Sequence, residues 1–119
     1  MIKFDVKITY DAQKTMDKAQ QALNKAQLAL DEQILKDSNN FIPKDTGALE
    51  QSSLRFSRTG EGHIEWNTPY ARRLYYNPQY NFSQDKNPNA QGLWFEEAKA
   101  RHGSDWEKIA QHTVNQNMG

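Results

Sequence analysis

The sequence predicts an α+β domain: a long N-terminal helix packed on a small, mostly antiparallel sheet, with short helices at the C-terminal end. Three observations predict it. Ile2, Phe4, Val6, Ile8 and Tyr10 alternate with Lys3, Asp5, Lys7 and Thr9, the period of a strand with one buried face. Residues 12–39 contain no Gly or Pro and place apolar side chains three and four apart, which is one stripe on a helix. Further on, short alternating runs and turn signals give way to aromatic-rich helical segments.

Asp11 stands where the helix should be capped, its carboxylate facing the free amides of the first turn. The stripe itself is Ala12, Met16, Ala19, Leu23, Ala26, Leu30 and Ile34, widened by Ala22, Ala29 and Leu35. Such a helix is on the order of 40 Å long, whereas a compact domain of this size is only about 35 Å across. It must span the globule or project from it. Asn39-Asn40 ends it, and Pro43 forbids its resumption. Residues 53–59 set Leu54 and Phe56 against Arg55 and Ser57, a strand pattern. Gly60-Glu61-Gly62 is a turn, so residues 63–67, with Ile64 and Trp66, should pair back as a hairpin. Thr68-Pro69 opens a short helix over residues 70–76. Residues 77–91, rich in Asn, Gln and Pro, form a long loop. Leu93 to His102 is helical. Gly103 should break it, and Ser104, three residues ahead of Glu107, should restart a last helix as a capping box. Trp66, Trp94 and Trp106 are expected in the core.

With 119 residues the chain is one domain (1–119) with a modest core. Hydrophobic residues are 36% and mean hydropathy is −1.00, so partners should complete what the core lacks. Fifteen Lys and Arg balance fifteen Asp and Glu. Duplex binders usually present a basic face, and this balance argues against a free-standing nucleic-acid role. Without cysteine there is neither a disulfide framework nor thiol chemistry. The N-terminus reads as no signal peptide, and no apolar run approaches the roughly 20 residues of a membrane helix.

The segment Phe41-Ile-Pro-Lys-Asp-Thr-Gly-Ala-Leu-Glu-Gln-Ser52 admits two readings. Asp45-Thr46-Gly47 is the triplet of a dimeric aspartic protease, in which two aspartates share a proton. That class is all-β, however, and more than half of this chain reads as helix. Lys44 beside Asp45 would favour the charged carboxylate and oppose proton sharing. In the other reading the segment is a corner between helix and sheet. Asp45 accepts from the amides of Gly47 or Ala48, Thr46 adds a weaker cap, and Gly47 relieves a sharp bend. Leu49 points inward, and Ser52 leads into the strand. His63, His102 and His112 lack metal-ligand spacing and read as surface histidines. Glu96 and Glu97 point apart as solvated charges. The expectation is no catalytic residue, no metal site and no cofactor. Arg72, Arg73, Tyr75, Tyr76, Tyr80 and Phe82 are the candidate interface, because aromatic residues and Arg are enriched where proteins meet.

Three segments together resemble one family. They are Lys36 to Ser52, with its Pro-x-Asp-Thr-Gly-x-Leu-x-x-Ser core; Ile64 to Tyr76, with Pro69-Tyr-Ala; and Gly92-Leu-Trp-Phe-Glu-Glu-Ala-Lys-Ala100 followed by Trp106. In this order they are similar to the minor capsid proteins encoded in the head–tail connector region of tailed bacteriophages, and to the wider tail-completion family. The resemblance implies a non-enzymatic virion protein of the neck, made in the host cytoplasm and located at the head–tail interface. It implies a homo-oligomeric ring, commonly six-fold. The neighbours would be adaptor or stopper proteins and the tail tube or tail terminator, with DNA as passing cargo and no membrane. Asp45, Thr46, Gly47 and Leu49 carry over as the folding corner, while Pro69, Tyr70, Ala71 and Trp94 carry over as motif positions. The loop and residues 115–119 are expected to order only on assembly. The rival readings are a small protein-binding module and the protease through Asp45.

Overall fold

The computed structural model describes residues 1–10, 17–44, 46–80, 82 and 84–118. In chain order the elements are β1 (Ile2–Asp5), α1 (Asp17–Asn39), α2 (Ala48–Phe56), β2 (His63–Trp66), α3 (Ala71–Tyr75) and α4 (Trp94–Met118). The α+β class is as expected, but the helices are distributed differently. The C-terminal end is a single helix of 25 residues, lying beside the 23 described residues of α1. The two pack as an antiparallel pair. Lys25 Nζ donates to Asn117 Oδ1 (3.1 Å) at one end, and Trp106 Nε1 donates to Asp37 Oδ2 (2.7 Å) at the other. The molecule is accordingly elongated, 49 × 24 × 19 Å, with a radius of gyration of 15.8 Å against about 13.5 Å for a compact chain of this length.

Gly103 does not interrupt α4, and Ser104 starts no new helix. Trp94, Phe95, Ala98 and Trp106 are buried on one side of the continuous helix, and packing against α1 outweighs the roughly 1 kcal/mol that one glycine costs. The helix also carries residues 115–118 in regular structure, so that part of the tail needs no partner to take its shape.

Residues 48–56 are helix, not the start of a strand. Leu49, Ser52 and Ser53 are buried at helical spacing, while Leu54 and Phe56, whose alternation suggested a strand, face outward. Both serines are satisfied locally: Ser52 Oγ donates to Leu49 O (2.7 Å) and Ser53 Oγ to Glu50 O (2.6 Å). The expected hairpin is therefore reduced to one bridge, Arg58 with His63. β2 pairs instead with β1, antiparallel, in the register Ile2–Trp66, Lys3–Glu65, Phe4–Ile64 and Asp5–His63. Residues 6–10 continue extended beyond the ladder, with Val6 N still bonded to Gly62 O (2.8 Å). Tyr10, expected on the buried face, is exposed. The cap assigned to Asp11 and the stripe positions Ala12 and Met16 lie outside the described residues.

A buried polar link fixes this crossing. Asp31, with no exposed surface, takes the amides of Gly60 (2.8 Å) and Gly62 (2.9 Å) on Oδ2 and Gln27 Nε2 (2.8 Å) on Oδ1. Gln27 also donates to Val6 O (3.1 Å) and accepts from Ile8 N (2.8 Å). Two side chains one helical turn apart on α1 thus hold both the turn and the extended N-terminal segment. Gly62 has φ +73, and a Cβ there would lie 2.6 Å from Lys7 Cγ and 2.9 Å from Lys7 backbone. Only glycine allows so close a crossing.

The core is aromatic. Phe4 stacks on Phe95 (4.0 Å between centroids), Trp66 meets Trp94 edge-on (5.9 Å), and Tyr75 meets Trp94 edge-on (4.7 Å). All three tryptophans are buried, as expected.

Candidate assembly surfaces

The corner that follows α1 is built from its last turn outward. Asp37 and Asn39 are both buried, which is costly for polar groups unless they are bonded; the buried Ser38 hydroxyl between them has no partner among the described residues. Asp37 holds the Trp106 indole and takes Gln33 Nε2 (3.0 Å). Asn39 Oδ1 accepts from Trp66 Nε1 (3.0 Å), and its Nδ2 donates to Ser53 Oγ (2.9 Å). The last turn of α1 is thereby tied to two tryptophans from distant parts of the chain. Phe41 and Ile42 then bury themselves, and the long loop is fastened over them. Asn87 Nδ2 donates to Asn40 O (2.9 Å) and Ile42 O (2.8 Å), and Gln91 N donates to Phe41 O (2.9 Å). The Arg101 guanidinium lies 5.2 Å from the Phe41 ring centre, within cation–π range.

The predicted corner residues take these places. Asp45 lies outside the described residues. Thr46 Oγ1 accepts from Ala48 N (3.3 Å), a weak cap on α2. Gly47 is the residue before α2 and has φ +78. Leu49 is buried, and Ser52 accepts from Asn67 N (3.1 Å). The corner therefore joins helix to helix, and Ser52 ties α2 to the end of β2 rather than opening a strand. Thr46, Gly47, Leu49, Tyr70 and Arg73 line one cleft of about 520 Å3 between the corner and α3.

Of the candidate interface, Arg72, Arg73, Tyr76 and Tyr80 are exposed. Arg72 lies over the Tyr76 ring (5.4 Å), and Tyr80 packs on half-buried Phe82 (6.3 Å). Tyr75 has no exposed surface and belongs to the core. Neighbouring residues on a helix point about 100° apart, so only Tyr76 of the pair can meet a partner. The sequence reading missed Leu54, 65% exposed, and Phe56, 40% exposed, with Arg55 stacked on the latter at 5.7 Å. A helical reading of residues 48–56 would have set Leu54 opposite Leu49, Ser52 and Ser53; Phe56 shares their face but stands at the last position of the helix.

His63 and Glu65 form a pair beside the sheet, Nε2 to Oε1 at 2.7 Å, and Glu65 Oε2 accepts from Asn67 Nδ2 (2.9 Å). Burial alone would raise the Glu65 carboxyl, but its bonds to His63 and Asn67 and the charges of His63 and Lys3 together hold it below the usual value. Asp31 behaves oppositely. Burial pushes its carboxyl up, and the donors from Gln27, Gly62 and Gly60 only partly offset this. Among the described residues no group of three or more His, Cys, Asp or Glu is placed to hold a metal ion. No described helix is long and apolar enough to cross a membrane.

The all-β body of an aspartic protease is absent: the regular elements of the described residues are two four-residue strands and four helices. The described residues form an elongated helical frame with buried polar ties, and with aliphatic and aromatic side chains left outside. A family model described as minor capsid protein matches residues 5–114. The chain belongs to the minor capsid protein family, and so to the structural proteins of phage virions. No curated protein and no solved structure gives a significant match.

Proposed function

We propose that this minor capsid protein is a subunit of the phage neck, where identical copies meet head to tail in a closed ring between the portal, adaptor and stopper assembly and the tail. The observation that carries this is the exposure of Leu54, Phe56, Tyr76 and Tyr80 on a frame whose helices are tied by buried polar contacts. Apolar side chains left outside a tied frame are what an assembling subunit requires. Heterologous contacts close into rings when the rotation between copies closes; six-fold is the expected number. The balanced charge suits a wall past which DNA slides, since a basic lining would hold phosphates. Family membership places the protein in the virion, and the head–tail interface is the site this reading assigns.

Leu54→Glu and Tyr76→Glu test it. Both positions are exposed, so stability should change by no more than about 0.5 kcal/mol. Virions made with either variant, or rings formed with the neighbouring neck components, should lack the protein. If the wild-type protein never enters a ring or a virion when those components are present, the proposal is wrong.

A further inference from the structure

We propose that β1 pairs through its free edge with β1 of a second copy, antiparallel about Phe4, forming a two-fold contact of the free subunit. The sheet is two-stranded, in the order β1-β2. Val6 N bonds to Gly62 O, so in this register the amides and carbonyls of residues 2, 4 and 6 face β2. Those of Lys3 and Asp5 face away, and no described element bonds to them. The outer side of β2 is different. Ser57 Oγ takes Glu65 N (2.9 Å), and Arg58 N donates to His63 O (2.8 Å). β1 is thus the open edge, and a pair of four-residue strands is a marginal sheet.

The edge opens onto space that can receive a strand. Residues 4–9 line in unbroken succession an apolar groove of about 930 Å3, with Leu23 of α1 and Ala110 and Val114 of α4 on its other walls. Successive residues of a strand alternate between faces, so a groove touching all of them runs along the edge.

Charge selects the occupant. Lys3, Asp5 and Lys7 are exposed and alternate in sign. When two β1 strands pair antiparallel about Phe4, Lys3 of each lies opposite Asp5 of the other. Those residues exchange the backbone bonds that each edge leaves open, while Ile2 faces Val6 and Phe4 faces Phe4. Moving the register by two residues in one direction sets Asp5 against Asp5 and Lys3 against Lys7. In the other direction it sets Lys3 against Lys3. Moving it by one residue turns the open backbone groups away from each other. Lysine on an edge strand normally repels a second strand, but here Asp5 of the other copy meets it; a four-residue shift, centred on Val6, would set Asp5 against Lys7 instead, and the Lys3→Asp variant distinguishes the two alignments. The contact does not rest on the neck reading.

The test is sedimentation velocity of the purified protein, with amide hydrogen exchange measured over a concentration series. The wild type should dimerise as it is concentrated towards about 1 mM, and protection of the Lys3 and Asp5 amides should rise in parallel. Asp5→Lys replaces two attractive pairs by two repulsive ones and should weaken dimerisation roughly thirty-fold. Lys3→Asp alone should do likewise. Mixing the two variants should restore a dimer, because each supplies the charges the other lacks. Lys3→Asp also meets Glu65 across the ladder, so circular dichroism checks its fold, and Asp5→Lys carries the test if that variant unfolds. A wild type that stays monomeric throughout overturns the proposal. So does a dimer or ring that Asp5→Lys leaves intact or that forms without protecting these amides; rings made by Asp5→Lys would leave the neck assignment standing while removing this one.

Discussion

Replacing Asp31 tests the polar link between α1 and the turn ahead of β2. Asp31→Ala removes the acceptor of the Gly60 and Gly62 amides and one of the two acceptors of Gln27 Nε2, which keeps Val6 O. Each orphaned buried donor costs about 1–3 kcal/mol. Part is returned, because the ionised carboxylate no longer has to be buried. The expected loss is about 2–4 kcal/mol, a large share of the roughly 5–15 kcal/mol that holds a domain together. Asp31→Asn separates the contributions. Its oxygen can stay with the two glycine amides, but its NH2 must then face Gln27 Nε2, donor against donor. Gln27 cannot turn over to accept, since its oxygen holds Ile8 N and its nitrogen holds Val6 O. About 1–2 kcal/mol should be lost, and removing Gln27 as well should cost less than the sum of the single changes. Urea unfolding followed by fluorescence of the three buried tryptophans measures all of these. Because burial raises the Asp31 carboxyl in the folded state, folded protein binds the proton first. The advantage of wild type over Asp31→Asn should therefore grow as pH falls from neutral through the folded value to about 3.8. An Asp31→Ala variant within about 0.5 kcal/mol of wild type would refute the reasoning.

Three further changes follow from the same frame. Gly60→Ala meets open space at φ +91 and should cost only about 1 kcal/mol, whereas Gly62→Ala adds a collision with Lys7 backbone and should cost about 3 kcal/mol or more; equal denaturation midpoints would show that the crossing is not tight. Gly103→Ala should stabilise by about 0.5–1 kcal/mol, since its Cβ would meet only Lys99 Cγ at 3.8 Å, and a fall in thermal midpoint would restore a break at that position. Glu65 has its folded carboxyl lowered, so its contribution is complete above about 4.5 and is lost as pH falls through the folded value. Glu65→Gln should flatten the acid limb of a stability–pH curve.

Local patterns were legible wherever the structure obeys them locally. The apolar stripe of α1, the alternation at the N-terminus, the glycine turn and the buried tryptophans all follow from spacing. Pairing was not legible. β2 lies next to a turn, and a neighbour in sequence is the cheapest partner for a strand. Yet it pairs with Ile2–Asp5, because Asp31 and Gln27 bring the two together from a third element. Gly103 looked like a stop, since nothing local reveals that α1 lies alongside. Asp31 and Asp37 carried no local signal, and Asn39 read only as the end of the helix, their partners being backbone amides and indoles far along the chain. For the candidate surfaces, Arg72, Tyr76 and Tyr80 were visible as aromatic and cationic neighbours, and the rotation of a helix separates Tyr76 from Tyr75. Leu54 and Phe56 were hidden by two-residue spacing, which a short helix can show as readily as a strand.

The antiparallel pairing of α1 with α4 also sets a timetable for a chain leaving the ribosome. Asp37 and Asn39 are translated well before Trp106, and at about 5–20 residues per second the interval is a matter of seconds. Until Trp94–Met118 has emerged, α1 lacks the helix that lies along it, and the Asp37 carboxylate lacks the Trp106 indole. A nascent chain can therefore complete its first helix early but cannot close its interior until translation has delivered the helix that seals it.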